Sequence, residues 1–387
     1  MLKFLQAAGR FFKKADMILL SLCVAASLFG AVMVDSATSY AGGNRFILIQ
    51  LLAIALGVVI YVVLTLIDIE ILVGHSELLV LFNTAFILSL LVWGVEGLTG
   101  NRSWLHFSWL PFNIQPAEIC KITFVLISAK MMRRHERHIS SFRSVMPLAL
   151  HTLFTVALIV VVSKDMGVAL IYAFIFLLMC FAGGVSKYWF FLGFGAAAGA
   201  VPLLWKYVFR ADQKNRIIAL FDPSIDPTGQ GVLWQTNLSL KAIQGGGLLG
   251  QGLYNGNVVQ SGSNPQQHND FIFSAIAEEL GVVGCLVALA LLAAIICRCI
   301  YVGIKSQSYM SRLICVGMAG TLFFQIVVNV GMCLGLLPVV GLALPFFSYG
   351  GSSIVSTFFA MGLVSGIHMR PAPDGEAVYV RPPGALT

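Results

Sequence analysis

Charge is what this chain has least of. Of its 387 residues only 11% are Asp, Glu, Lys or Arg, while 58% are hydrophobic and the mean hydropathy is +0.88. A soluble domain carries about 25% charged and about 45–50% apolar residues, so a soluble fold is excluded. Metal-ligand spacing is also missing from the eight cysteines (Cys23, Cys120, Cys180, Cys285, Cys297, Cys299, Cys315 and Cys333). All lie in or beside apolar runs, which argues against a zinc module or disulfide framework and for small packing residues. A cleavage site is the third absence. The start "MLKFLQAAGRFFKKAD" has a basic region before an apolar run, but no A-x-A-like site follows. The first apolar run is therefore expected to remain as a span.

What the chain does have is long apolar runs. A bilayer core needs about 20 apolar residues per helix, and about ten such runs occur, at 17–35, 46–67, 76–95, 115–132, 145–162, 166–183, 187–205, 272–297, 312–335 and 349–368. Only "SKD" separates the fifth from the sixth, which predicts a hairpin. The reading is an all-α polytopic membrane protein of about ten transmembrane helices. Residues 1–387 form a single integral membrane domain, with one large loop at 206–271 between spans seven and eight.

Lys and Arg set the orientation, because cytoplasmic loops collect them. With the N-terminus inside, most of the 24 face the cytoplasm: Lys3, Arg10, Lys13, Lys14, Lys130, Arg133, Arg134, Arg137, Arg143, Lys187, Arg298, Lys305, Arg312, Arg370 and Arg381. Both termini are then cytoplasmic and 206–271 lies outside. The net charge of +7 reads as topology and contact with anionic lipid, with no nucleic acid implied. Segment 2–14 either lies on the inner surface with Phe4, Leu5, Phe11 and Phe12 in lipid, or frays. In the outer loop, "VLWQTNLSLKAIQ" places Trp234, Leu238 and Ala242 on one face of a short surface helix. The "GGGLLGQGLYNGN" that follows is either a phosphate cradle or a flexible loop.

Charged residues inside a membrane helix cost about 2.5–3.5 kcal/mol each on insertion scales, so the few present mark sites. Glu118 and Lys121 are three apart in "NIQPAEICKITF" and can pair, either as structural glue or as the polar wall of a cavity. Asp165, beside Lys164, tips the hairpin between spans five and six, solvated or functional. Arg45 and Arg102 lie outside, against the usual bias. Either a lipid phosphate holds them or they anchor at the interface beside Trp104 and Trp109. Asp270, in "NPQQHNDFIFSAIAEELG", stands between a polar loop and an apolar run. Burial there would raise its pKa and make it a better base. At least one of Glu278 and Glu279 is expected to face a polar interior, and the inner face to carry only topology charges. Gln325 and Asn329, at i and i+4, can hydrogen-bond across helices. "GLALPFFSYGGSS" reads as a re-entrant or broken segment, which must be buried in protein or line a cavity.

These motifs resemble the SEDS family (shape, elongation, division and sporulation), with its RodA, FtsW and SpoVE branches. The resemblance covers nearly the whole chain and rests on "NIQPAEICKI", "DMGVAL", "RIIALFDPSIDPTGQG", "HNDFIFSAIAEELG" and "GLLPVVGLALPFFSYGGSS". It implies ten membrane helices and a peptidoglycan glycosyltransferase polymerising lipid II, a polyprenyl-pyrophosphate disaccharide, on the outer face of the bacterial plasma membrane. It also implies a class B penicillin-binding protein as partner. The family's essential aspartate maps onto Asp270, its cavity pair onto Glu118 and Lys121, its Pro-Asp-Leu-Gly motif onto Asp165, Met166 and Gly167, and its arginines onto Arg45 and Arg102. Ala117, Lys164 and the Asn of "HND" depart from the family's usual Ser, Pro and Thr. "GLYNGN" looks like the rod-shape branch. The expectation is Asp270 as catalytic base, with Arg45, Arg102, Glu118, Lys121, Asp165, Arg216 and Ser348 toward the substrate, and a divalent ion (Mg or Mn) held with Asp270 against the pyrophosphate. A lipid II flippase and a non-catalytic scaffold for a penicillin-binding protein are the alternatives. A flippase predicts polar residues through the whole depth of the bundle, whereas the sequence clusters them at the outer end.

Overall fold

The computed structural model describes residues 14–42, 44–96 and 101–370. Residues 2–13 of the expected surface segment, with Phe4, Leu5, Phe11 and Phe12, lie outside the described residues, as do Lys3, Arg10, Lys13 and Arg381.

Helices occupy all ten expected runs. In chain order they are α1 (Met17–Thr38), α2 (Arg45–Leu66), α3 (Ser76–Trp93), α4 (Pro116–Arg134), α5 (Phe142–Val162), α6 (Met166–Ala182) and α7 (Lys187–Tyr207). The loop carries α8 (Ala211–Ile218), α9 (Trp234–Gly246) and α10 (Asn257–Gln260), and α11 (Ile272–Lys305), α12 (Tyr309–Cys333) and α13 (Gly351–Met369) complete the bundle. A two-residue ribbon, β1 (Gly94–Val95) with β2 (Trp104–Leu105), closes the α3–α4 connection. Eight of the ten bundle helices are long and apolar enough to cross a membrane. The other two have identifiable reasons. α4 carries Glu118, Lys121, Lys130, Arg133 and Arg134, and α6 has 17 residues, about 26 Å at 1.5 Å per residue.

The connections sort into two faces by their contacts. On one, Arg370 donates to the Ile67 carbonyl, Tyr309 to that of Gly183, and Trp189 to that of Ser140. On the other, Ser103 meets Asp165, Arg216 meets Val339, Gln50 meets Ser348, and Tyr254 meets Asp35. We call the second the loop face. The first, basic face also holds a buried ion pair that topology alone does not explain. Arg298 Nε lies 2.8 Å and 3.1 Å from the Asp16 carboxylate oxygens. Asp16 caps α1 through Leu19 N–H, and its carbonyl accepts from Tyr61. The expectation of topology charges alone on this face is therefore corrected.

Because lipid is as apolar as leucine, burial of carbon drives little here. Packing and cross-helix hydrogen bonds hold the bundle. α2 shows the inversion: Leu48, Leu52, Val59 and Val63 face outward, while Gln50, Tyr61 and Thr65 are buried. α7 has no buried residue along its length.

Two irregular segments shape the loop face. The chain from Leu336 to Gly350 is not helical, yet Leu342, Leu344, Phe346, Phe347 and Ser348 are buried, as a re-entrant segment requires. The second was not expected. α11 breaks at Gly281, whose φ of 66° and ψ of −164° lie in a region essentially closed to other residues. The "GGGLLGQG" loop splices into the break. Gln251 and Gly252 N–H groups donate to the Glu278 and Glu279 carbonyls, while Val282 and Val283 donate to the Gly247 and Leu248 carbonyls. These four bonds replace ones the helix loses. The loop is thus tied to the bundle by two of its N–H groups and two of its carbonyls, not left as a flexible linker. α9 forms over the expected stretch. It buries Thr236, Ser239, Ala242 and Gly246 and leaves Trp234 outward. Small residues give close approach to α11, and Ser239 donates to the Cys333 carbonyl.

Candidate active site at the loop face

The segment His268-Asn269-Asp270 runs between the outer loop and α11. Its three consecutive carbonyls are all engaged. That of His268 accepts from Tyr349 N–H at 2.8 Å, that of Asn269 from the Ser348 hydroxyl at 2.7 Å, and that of Asp270 from Asn329 Nδ2 at 2.8 Å. Asn329 Nδ2 also reaches the Leu342 carbonyl at 2.7 Å, and Ser348 Oγ accepts from Leu344 N–H at 2.7 Å. The re-entrant segment therefore grips this stretch by its backbone.

The Asp270 side chain is treated differently. Its carboxylate accepts no hydrogen bond from any described residue. It lies over Gly341, where an added Cβ would stand 3.4 Å from Oδ2. Gly341 also has φ of 72°, so a side chain there would meet both strain and the carboxylate. Burial and the negative charge of Asp165 push the Asp270 pKa up to about 6, and the Arg216 guanidinium pulls partly against them. Arg216 is fixed by donating to the Val339 carbonyl at 2.8 Å.

Apart from Arg45, the remaining expected residues are each held by their own partners. Asp165 is buried rather than solvated. Its carboxylate caps α6, accepting from Val168 N–H at 3.1 Å and from Ser103 at 3.2 Å. Burial raises its pKa and those bonds lower it. Its neighbour Lys164 has φ of 56°, a value closed to the proline the family pattern carries there. Glu118 and Lys121 pair at 2.7 Å inside the bundle, with Gln325 on Lys121 and Ser356 on Glu118. The cavity beside Lys121, Gln325 and Ser356 has room for about one water. Arg102 is paired with Glu96 at 3.0 Å, a partner the sequence reading missed. Arg45 is exposed in the first turn of α2 beside Tyr349, where Phe46, His268 and Tyr349 rings meet edge to face at 5.1–5.6 Å. Burial lowers the His268 pKa, so this ring is neutral near pH 7.

Glu278 and Glu279 are both buried. Glu278 accepts from Val258 and Val259 N–H, each at 2.8 Å, and Glu279 accepts from Ser36 at 2.6 Å and Gln260 at 2.9 Å. Their carboxylates hold the loop to the bundle. Sequence did not show this because Glu278 is met by backbone N–H groups about twenty residues upstream, and Glu279 by side chains of α1 and the loop.

Among the described residues no three His, Cys, Asp or Glu side chains converge as a metal cage. Mg²⁺ seldom uses one. It binds through one or two carboxylates plus substrate phosphates, and the unengaged Asp270 carboxylate fits that mode.

The fold and this site define a class: a polytopic membrane protein with a carboxylate free of hydrogen bonds from the described residues at one end of a ten-helix bundle. The chain belongs to the FtsW/RodA/SpoVE family of cell cycle proteins, whose model matches residues 14–372. It is 34% identical over 317 residues to the peptidoglycan glycosyltransferase MrdB of Escherichia coli K12, covering 81% of this chain and 83% of that protein. It is 31% identical to the probable peptidoglycan glycosyltransferase FtsW of Geobacter metallireducens over 366 residues, 92% of this chain and 96% of that protein. Among solved structures it resembles a chain of a peptidoglycan synthase complex that coordinates polymerization and crosslinking. There the TM-score is 0.78 and the identity 30%, over 93% of this chain and 99% of that one. It also resembles the rod shape determining protein RodA of Thermus thermophilus, with a TM-score of 0.67 and 28% identity over 93% and 98%.

Proposed function

We propose that the chain is a peptidoglycan glycosyltransferase that polymerises lipid II at the loop face, with Asp270 as general base. The carrying observation is that carboxylate: set beside a guanidinium, raised to about 6, and free of hydrogen bonds from the described residues. A base near neutrality is matched to the deprotonation of an alcohol and contributes about 10²–10⁴-fold. The 4-hydroxyl of the acceptor GlcNAc gives its proton to Asp270 as its oxygen bonds to C1 of the donor MurNAc. The C1–oxygen bond to pyrophosphate breaks, and the polyprenyl pyrophosphate leaves with that electron pair. One in-line displacement turns an α-linked donor into a β-linked product. Arg216, close enough to act on Asp270, and the exposed Arg45 supply positive charge for the leaving group. Arg102 does so only on leaving Glu96, and Glu118–Lys121 and Asp165 shape the polar wall beneath. Ser348 acts through the backbone it holds. A divalent ion bound by Asp270 and the pyrophosphate would neutralise the leaving group's charge.

The short basic loops support cytoplasmic termini and a loop face outside the plasma membrane. The rod-shape branch is our reading from "GLYNGN" and the MrdB likeness. A class B penicillin-binding protein is the partner that the likeness to a synthase complex supports. The test is purified protein in vesicles with lipid II and Mg²⁺ or Mn²⁺, with and without such a partner. Glycan chains from wild type and none from Asp270→Asn support the reading. Translocation without polymer indicates a flippase, and neither product at any partner ratio indicates a scaffold. Polar side chains do occur at several depths, as Gln50, Asn83, Thr123 and Thr65 show, which corrects the expected clustering. Each of these four hydrogen-bonds to a group on another segment: Gln50 to Ser348, Thr123 to Asn83, and Thr65 to the Gly362 carbonyl.

A further inference from the structure

We infer that Asn329 of α12 is a positioning residue for Asp270, acting through the main chain, an inference that rests on Asp270 being the base. Its Nδ2 makes two short bonds, 2.8 Å to the Asp270 carbonyl and 2.7 Å to the Leu342 carbonyl. An amide has two N–H donors, so both are spent, and this fixes which way the group is turned. Asn329 thereby ties three elements at one point: α12, the catalytic segment and the re-entrant chain. It is fully buried, and its Oδ1 has no hydrogen-bond partner among the described residues.

That orphan oxygen is informative. An unsatisfied buried acceptor costs about 1–3 kcal/mol. A residue chosen for packing alone would be leucine, which has nearly the same shape and no such cost. The two donors are what leucine lacks. Ser348 makes the neighbouring bond to the Asn269 carbonyl, so two side chains hold adjacent peptide groups. With the Asp270 carboxylate itself unbound, its direction is set by its backbone. A shift of about 1 Å in a reacting group costs on the order of 10²-fold in rate.

The test compares Asn329→Leu, Asn329→Ala and Ser348→Ala with wild type in the full-length protein, reading kcat and KM for lipid II polymerisation beside the melting temperature. Asn329→Leu should lower kcat by about 10- to 100-fold with KM within about twofold, and melt somewhat below wild type because the Asp270 and Leu342 carbonyls lose their donor. Ser348→Ala should lower kcat in the same manner, so the inference remains testable if a residue-329 variant does not fold. Wild-type kcat in folded Asn329→Leu, or in Ser348→Ala, overturns it, as does a rise in KM at constant kcat. Asp270→Asn runs alongside. If that variant polymerises at the wild-type rate, the base assignment fails and not merely the positioning of it.

Discussion

Replacing Asp270 by Asn should abolish polymerisation and at the same time stabilise the protein. Both effects come from one carboxyl group. Its pKa stands at about 6 in the fold against 3.8 for a free side chain, chiefly through burial. Ionising it in the folded protein is therefore harder by about 3 kcal/mol, two units at about 1.4 each. The sign follows from linkage. The folded state binds this proton more tightly, so its contribution is fully present below pH 3.8 and is lost as pH rises through about 6. At pH 8 wild type bears the whole cost and Asp270→Asn bears none. The variant should melt higher at pH 8, and the gap should close as pH falls toward 4. The rate runs the other way, since only the anion is a base. A tenth of the molecules are ionised one unit below the pKa, so the wild-type rate at pH 5 should be roughly one tenth of its plateau. Arg216→Gln removes a cation that lowers this pKa and should move the limb up. Asp165→Asn removes an anion that raises it and should move the limb down. The assay is initial rate of glycan formation between pH 4.5 and 8.5, beside thermal unfolding in the same detergent. A flat profile to pH 5, or an Asp270→Asn protein that melts below wild type at pH 8, refutes the reasoning.

Gly281→Ala places a Cβ 2.4 Å from the Gly250 nitrogen and the Leu248 oxygen, at φ of 66°; a loss of about 3 kcal/mol or more is expected, read as a lowered melting temperature. Lys121→Met strands the Glu118 carboxylate at 5% side-chain exposure and should cost about 3–5 kcal/mol. Adding Glu118→Gln should recover most of it, and a double variant no more stable than the single contradicts the pairing. Glu96→Gln should change stability by under about 1 kcal/mol, since both partners are solvent-exposed. Arg298→Met at the opposite face should destabilise several-fold more than Glu96→Gln, because Asp16 is fully buried, and a chaotrope series on the two variants ranks them.

The ten helices were legible because a bilayer imposes one length and one solvent on every span, so hydrophobic runs translate directly into elements. The re-entrant segment was legible from Pro345 and Gly350-Gly351 set in an apolar run. The splice at Gly281 was not. A glycine in a long apolar run reads as a tolerated weak point, and the atoms that replace its lost bonds are backbone groups of residues 247–252, which leave no mark in side-chain identity. The same blindness hid the role of Glu278, whose donors are the Val258 and Val259 N–H groups. Adjacent helix positions point about 100° apart, so one inward acid seemed sufficient, yet the returning loop meets both. For α9 the apolar spacing of Trp234, Leu238 and Ala242 located the helix but not its packed face, of which only Ala242 is a member. The packed face is the small one. For Arg102, read as holding a lipid phosphate or anchoring at the interface, the partner Glu96 was not foreseen because periodicity does not pair positions six apart.

The buried and half-buried acids of the loop face sort themselves by what their oxygens do. Glu278, Glu279 and Asp165 each accept two hydrogen bonds from the protein. Such bonds hold each carboxylate in place and make it a structural tether. Asp270 accepts none from the described residues, and the bonds that locate it go to three main-chain carbonyls instead. Holding a base by its own carboxylate would stabilise the charge that must be given up to a proton. Holding it by the neighbouring peptide groups fixes direction and leaves basicity to burial. A fold that needed only an ion pair at this position would place the bonds on the side chain, as it does for Asp16 with Arg298 at the other face. On the proposed reading, the difference between these two aspartates is that between a tether and a base.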